Sequence, residues 1–168
     1  QKFPSSWMTP NNATLVVVGD VTMGEWKPQL EKTFSNWKKG KTPNKRLPEV
    51  AHRAKSEIYL LDRPGSEQSI VLVGHVAPPK SNKNEIAIEG MNEVLGNSFS
   101  SRINMNLRED KHWTYGARSL FRDAKGQRPF FAYSPVQSDK TKETMIELNK
   151  ELRGILDSRP ATQEELDR

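Results

Sequence analysis

Histidines, serines and cysteines are the residues most able to carry out metal or nucleophilic chemistry, and none of them is arranged for it here. The three histidines, His52, His75 and His112, are never three or four residues apart, and no H-x-x-E-H motif occurs in either direction. The serines lack an adjacent base, and neither a G-x-S-x-G elbow nor a glycine-rich phosphate loop is present. There is no cysteine, which excludes thiol nucleophiles and sulfur-ligated zinc. The sequence therefore predicts no metal site in this chain.

One stretch, 95–119, combines residue types that could contact a ligand. Its candidates are Gly96, Ser98, Phe99, Ser100, Arg108 and Tyr115. Structural explanations exist for all of them. Arg108 could pair with Glu109 or Asp110 or with the last carbonyls of its helix. Tyr115 could fill a core, and the glycine and serines could form a corner between helices. Residue types alone leave both interpretations open.

Length, hydropathy and charge exclude several classes of protein. The chain has 168 residues, 34% of them hydrophobic, which suits one well-filled domain. The longest purely apolar run, 15–18, is far shorter than the ~20 residues of a membrane helix. The net charge of +5 arises in 38–55, where seven Lys and Arg accompany one Glu, together with Gly and Pro. Because no aromatic residue interleaves with these charges, we expect an exposed connector and no nucleic-acid partner.

Hydrophobic periodicity predicts alternating strands and helices. The predicted strands are 13–19, 57–62, 68–77, 113–121 and 129–136. The predicted helices follow Thr22, cover 84–95, run from a cap at Ser98 or Ser100 through Glu109, and cover 139–156. Behind the first helix start, a stripe with helical spacing is expected to be buried; it consists of Trp26, Leu30, Phe34 and Trp37. Gly96 suits a C-cap of the second helix. Strand pairs joined by short turns favour an α+β fold, a two-layer sandwich with a largely antiparallel or mixed sheet and helices on one face.

Capping boxes are predicted at Thr22–Glu25 and at Thr162–Glu165. The second box opens a helix barely one turn before Arg168, and a single turn does not hold itself as a helix in water. We therefore expect residues 1–168 to be a single α+β domain cut from a longer polypeptide.

Three segments, in this order, resemble a known family. They are 10–20 with the helix that follows, 95–102, and the Leu107-Arg108-Glu109 run with Tyr115-Gly116 placed seven residues after the arginine. The chain is similar, from about residue 7 to 168, to the second or C-terminal type of domain in the non-catalytic half of the pitrilysin/insulinase family of zinc peptidases. The family commonly has a second glycine where this chain has Asn97.

The resemblance implies a clamshell of two halves, each built from two related α+β domains, around a chamber for unfolded peptides. By position, Arg108 and Tyr115 would contact the substrate backbone or the tetrahedral intermediate, and a guanidinium and a phenol suit a carbonyl oxygen that gains negative charge. The residues expected to line the chamber wall are Gly96, Ser98, Phe99 and Ser100. No cofactor is expected in this chain, because zinc, which activates water in such enzymes, would lie in a partner domain or subunit.

The resemblance thus implies a substrate-binding, transition-state-supporting domain of a zinc metalloendopeptidase. Its expected partners are a domain or subunit that carries the zinc motif and an extended peptide substrate. The alternative is a non-catalytic structural or peptide-holding subunit of the same family. Because the 107–117 segment resembles that of exported bacterial members, we expect a location in the bacterial periplasm or cell envelope.

Overall fold

The computed structural model describes residues 2–168, and the chain divides into two compact units, one ending at Leu47 and one comprising Pro48–Arg168. Every residue singled out in the 95–119 stretch belongs to the second unit. The two units are described separately below.

The first unit contains two helices, α1 (Lys2–Trp7) and α2 (Met23–Thr33). The predicted capping box at the start of α2 is confirmed, since the Glu25 amide donates to Thr22 Oγ1 over 3.4 Å and the Glu25 carboxylate accepts from the Thr22 amide. These bonds satisfy two of the amides that an α-helix leaves unpaired at its N-terminus.

Two expectations for the first unit are wrong. Residues 13–19 form no strand, and within them Val18 is 93% exposed. A strand is stable only when another strand accepts its hydrogen bonds, and no strand lies in residues 2–47. The stripe that begins on α2 is not buried either, because Trp26 on the helix and Phe34 and Trp37 just after it all remain exposed. Phe34 and Trp37 contact each other, with ring centroids 5.9 Å apart.

The second unit is built on a three-stranded antiparallel sheet of β1 (Gln68–Ala77), β2 (Arg118–Phe121) and β3 (Arg128–Gln137), in the order β1-β3-β2. β1 pairs with β3 from Gln68↔Gln137 to Ala77↔Arg128, and β2 pairs with β3 from Arg118↔Tyr133 to Phe121↔Phe130. The strands predicted at 68–77 and 129–136 are confirmed. The strand predicted over 113–121 begins only at Arg118, because the preceding residues form the turn described below.

Four α-helices belong to the second unit: α3 (Glu85–Asn92), α4 (Arg102–Asn104), α5 (Thr141–Gly154) and α6 (Gln163–Leu166). α3 and α4 continue into wider π-helical turns, Glu93–Asn97 and Met105–Asp110 respectively. Gly96 is therefore not the C-cap that the sequence predicted, since it lies inside the first of these turns. Such widened turns occur frequently at functional sites.

The helices pack on one face of the sheet, so the predicted α+β class is confirmed. The buried core joins side chains of the sheet to side chains of the helices; it contains Val71, Ala77, Leu95, Ile103, Leu107, Ala117, Phe130, Ala132, Val136 and Leu148. On β1 the alternation of side chains places Val71 in this core and leaves Ile70 and Leu72 exposed on the opposite face.

The strand predicted at 57–62 is absent, although the turn after it is present. Ser66 N donates to Arg63 O over 3.2 Å, and Gly65 adopts the left-handed φ of 78° that such a turn favours. Ile58, Leu60 and Leu61 remain exposed beyond the turn. Alternating apolar residues are compatible with a strand but do not create one, since only pairing with a neighbour completes it.

The C-terminal helix α6 is held by its own capping box and by Arg102 of α4. The predicted capping box of α6 is confirmed, with the Thr162 side chain accepting from the Glu165 amide and the Glu165 carboxylate accepting from the Thr162 amide. Arg102, which is buried, also donates to both carboxylate oxygens of Glu165 over 2.7 and 2.6 Å and to Pro160 O over 2.9 Å. Across residues 2–168, no helix has the length and hydrophobicity needed to cross a membrane.

Candidate functional site

Arg108 lies in the last turn of the π-helical segment Met105–Asp110, near the carboxyl end of the helix. Its Nε is 3.4 Å from a Glu109 carboxylate oxygen, which is the pairing that a structural interpretation predicts. The same guanidinium lies over the ring of Phe99, 4.6 Å from the ring centroid, a cation–π contact. The Arg108 side chain is still 36% exposed, so its charge remains accessible to a ligand.

The connection from Arg108 to Tyr115 is anchored by its backbone. His112 adopts a left-handed φ of 56° and its amide donates to Arg108 O, which ends the helix. Trp113 N then donates to Leu107 O over 3.1 Å, and Trp113 O accepts from Gln137 N over 3.2 Å. The residues between the arginine and the tyrosine are therefore tied both to the helix and to the end of β3.

Tyr115 is 91% exposed, so the alternative in which it fills the core is wrong. The tight turn that presents it is closed by Thr114, whose hydroxyl accepts from the Gly116 amide over 3.1 Å and donates to the Gly116 carbonyl over 3.0 Å. Side-chain hydroxyls of Ser and Thr commonly close such local turns. The arrangement holds the Tyr115 backbone while leaving the phenol in solvent.

Asn104, which the sequence analysis did not single out, connects this turn to the segment that contains Phe99. Its Nδ2 donates to Phe99 O over 2.7 Å, and its Oδ1 accepts from Ala117 N over 3.1 Å. A signal was available in the sequence, because a polar residue between Ile103 and Leu107 on a buried helix must find hydrogen-bond partners. Which partners it finds depends on the fold.

Gly96 makes a close contact between a helix and the sheet. A Cβ at this position would lie 2.5 Å from Ser119 N and 2.9 Å from Ser119 Cβ, so no side chain fits there. Ser119, in β2, is fully buried and donates from Oγ to Asn92 Oδ1 over 2.6 Å. In this structure Gly96 is buried against β2, whereas Phe99 and Tyr115 project outward.

Ser98 and Ser100 line a cavity of about 320 Å³ between the first π-helical turn and α6. Its lining comprises Gly90, Glu93, Val94, Ser98, Ser100, Glu165, Leu166 and Arg168. The hydrogen bond from Arg102 is the main cause that lowers the pKa of Glu165 from 4.5 to about 2, so this carboxylate stays charged at neutral pH. Of the six predicted residues, Phe99 and Arg108 are in contact, Tyr115 is exposed on its own turn, Ser98 and Ser100 line this cavity, and Gly96 packs against β2.

The acidic and histidine side chains of residues 2–168 are not clustered as metal ligands. Among the residues that the structure describes, no three His, Asp or Glu side chains are close enough together to hold an ion. His75, for example, lies against Phe130, with ring centroids 5.2 Å apart.

The comparisons with known proteins agree with the fold. The family model described as the peptidase M16 inactive domain matches residues 1–168, and the chain belongs to this family. The resemblance to the C-terminal type of domain in the pitrilysin/insulinase peptidases is thereby confirmed. A comparison with curated proteins gave no match.

Solved structures with the same fold include three bacterial proteins. The chain is 22% identical to a peptidase M16 inactive domain from Pseudomonas fluorescens, with a TM-score of 0.78 over 89% of this chain and 36% of the other. It is 22% identical to a protease from Helicobacter pylori (TM-score 0.82, 99% and 40% covered) and 19% identical to a conserved protein from Enterococcus faecalis V583 (TM-score 0.60, 89% and 34% covered). The chain thus spans about two fifths or less of each of these proteins.

Proposed function

We propose that this domain binds an extended peptide and supports its hydrolysis in a larger M16-type peptidase, with Arg108 and Tyr115 as the residues that contact the reacting peptide. The observation that carries the proposal is the exposed phenol of Tyr115 on an anchored turn, seven residues after an arginine whose charge is accessible. An exposed aromatic residue on a turn with three supporting hydrogen bonds has no role in core packing, which favours a ligand contact.

The proposed chemistry is stabilisation of negative charge. When water attacks a peptide carbonyl, the carbonyl oxygen becomes an oxyanion, and N–H and O–H donors stabilise it more strongly than they stabilise the ground-state carbonyl. Arg108 offers a planar, permanently charged donor, and Tyr115 offers a neutral O–H. Loss of one such donor raises a reaction barrier by roughly 2.7–4 kcal/mol in other enzymes. The same two groups can orient the main chain of a bound peptide.

The proposal places the catalytic metal outside this chain, in a second domain or subunit of the same peptidase. Among residues 2–168, no three His, Asp or Glu side chains are grouped to hold an ion, and the matching family model is described as an inactive domain. The substrate class proposed is an unfolded peptide recognised through its backbone. We also propose a periplasmic or cell-envelope location, on the resemblance of the 107–117 segment to exported bacterial members.

The test compares Tyr115→Phe and Arg108→Ala in the full-length protein together with its catalytic partner, using an internally quenched unstructured peptide. Each variant should lower kcat by about 100-fold or more, because each removes one donor to the oxyanion. Tyr133→Phe and Arg153→Ala are matched controls, since they remove the same groups from β3 and α5 and should leave turnover unchanged. Wild-type turnover in both site variants would refute the proposal.

The alternative, a non-catalytic subunit that holds peptides or supports a complex, predicts a different result. In that case the full-length protein and its partners would hydrolyse no peptide under any condition, while the Arg108 and Tyr115 variants could still weaken peptide binding. Fluorescence anisotropy with a labelled, uncleaved peptide therefore distinguishes the two functions, because it measures binding without turnover.

A further inference from the structure

The Asn104 side chain forms hydrogen bonds with the backbone of two separate segments of the proposed site. The side chain is only 5% exposed, and both ends of its amide are used, Nδ2 by the carbonyl of Phe99 and Oδ1 by the amide of Ala117. Phe99 lies five residues before Asn104 and Ala117 lies thirteen residues after it. One buried side chain thus joins two loops that the chain separates by an entire helix.

One of these loops carries Tyr115, and the other carries Phe99, which contacts Arg108. The Phe99 ring supports the Arg108 guanidinium from 4.6 Å. Ala117 is two residues after Tyr115 and directly follows the turn that Thr114 closes. Because hydrogen bonds are directional and short, an amide bonded to both loops restricts their separation more tightly than apolar packing would.

We infer that Asn104 is a positioning residue, which sets the placement of Tyr115 relative to Arg108 without contacting the peptide. The inference rests on the proposed function of Arg108 and Tyr115. A leucine or alanine would satisfy the packing of this helix position, and burial of a carboxamide is unfavourable unless its hydrogen bonds are made. The two bonds of Asn104 are made, and both go to the loops of the site.

Asn106 provides a matched control on the same helix. It is also buried, 9% exposed, and its Nδ2 donates to Glu147 over 2.9 Å and to Glu151 over 2.7 Å. Both partners lie on α5, and neither belongs to the two loops. Replacing either asparagine by alanine removes a buried amide and two hydrogen bonds, but only Asn104 is bonded to the site.

The experiment measures kcat and KM for Asn104→Ala and Asn106→Ala in the full-length protein with its catalytic partner and the quenched peptide. Asn104→Ala should lower kcat about 10- to 100-fold, the cost of a displacement of about 1 Å in a catalytic group, and change KM little because the contact strengthens only in the transition state. Asn106→Ala should lower stability without lowering kcat at a temperature where the protein is folded. Equal kcat values for the two variants would overturn the inference.

Coupling to Tyr115 separates positioning from a general structural role. If Asn104 acts through Tyr115, its replacement in a Tyr115→Phe background should cost at most about three-fold, since two residues that act as a unit are strongly non-additive. Hydrogen–deuterium exchange over 113–121 gives a readout independent of turnover, because the Ala117 amide loses its acceptor in Asn104→Ala and should exchange faster. Additive losses, or unchanged exchange, would contradict the inference.

The outcomes for the two proposals remain distinguishable. Full activity in both Tyr115→Phe and Arg108→Ala overturns the proposed function and this inference with it. Activity loss in those variants, with wild-type kcat in Asn104→Ala, overturns the inference alone. If Asn104→Ala does not fold, Asn104→Asp keeps the volume and the acceptor for Ala117 but loses the donor to Phe99, and wild-type kcat in that variant would overturn the inference equally.

Discussion

Replacement of Gly96 by alanine tests whether the helix and β2 approach as closely as the structure shows. The substitution adds a single methyl group to a π-helical turn, and alanine is otherwise the most favourable residue for a helix. On helix propensity alone, Gly96→Ala would stabilise the protein. The structure predicts the opposite, because that methyl group would lie 2.5 Å from Ser119 N.

The magnitude follows from what surrounds the new methyl group. Ser119 is in the middle of β2 and is bonded to Asn92, so the strand has to shift as a backbone unit and no flexible side chain can rotate away. Overpacking a core typically costs about 1–3 kcal/mol. Loss of the buried hydrogen bond between Ser119 and Asn92 adds about 1–3 kcal/mol if it breaks. We expect a destabilisation of about 2–4 kcal/mol, since a shift of the strand relieves part of the clash.

The assay is guanidinium unfolding followed by far-UV circular dichroism, with Gly90→Ala as the control. Gly90 lies on α3, only six residues away, and a Cβ there would meet no atom within 4 Å. Gly90→Ala should therefore stabilise by about 0.8–1.0 kcal/mol, the difference in helix propensity. Two identical substitutions on adjoining helical turns should change the free energy of unfolding with opposite signs. A stabilising Gly96→Ala would refute the close contact and the packing argument built on it.

Two further predictions concern the ends of helices. Because Arg102 lowers the pKa of Glu165 from 4.5 to about 2, the ion pair stabilises the fold fully above about pH 4.5 and loses this contribution as the pH falls through about 2. The ion pair should be worth roughly 1–3 kcal/mol at neutral pH after solvent screening of the partly exposed carboxylate. The unfolding free energies of the wild type and of Glu165→Gln should therefore converge in acid. A difference between the two free energies that does not change with pH would contradict this prediction. His112→Gly should stabilise the folded protein by about 0.5–1.5 kcal/mol, because glycine adopts the left-handed φ of 56° without the penalty that other residues incur. A lower unfolding midpoint in this variant would contradict the helix end assigned to His112.

Local features of this protein follow from the sequence because their physics is local. The capping boxes at Thr22 and Thr162 connect residues three positions apart, so the pattern of side chains is sufficient to predict them. β1 and β3 were predicted for a similar reason, since each is a continuous β-rich run bounded by turn residues. The seven-residue spacing of Arg108 and Tyr115 is likewise a property of the chain itself.

Features that depend on distant partners were not accessible in this way. The apolar runs at 13–19 and 57–62 have the composition of strands and yet form none, because a strand requires hydrogen bonds from a neighbour that composition does not specify. Gly96 matches a helix C-cap in the sequence, but its actual constraint is Ser119, which approaches from β2.

The candidate site also combines features that are local in the sequence with features that depend on distant partners. The sequence by itself determined the residue types at the site and their order, including the arginine, the tyrosine and the serines before them. Only the tertiary structure decided that Tyr115 faces solvent and that Phe99 lies beneath Arg108. It also decided that Asn104 joins the loop of Phe99 to the loop of Tyr115. The physical reason is that hydrogen bonds and ring contacts between separated segments depend on the packing of a helix against a sheet, and this packing is settled by the whole core at once.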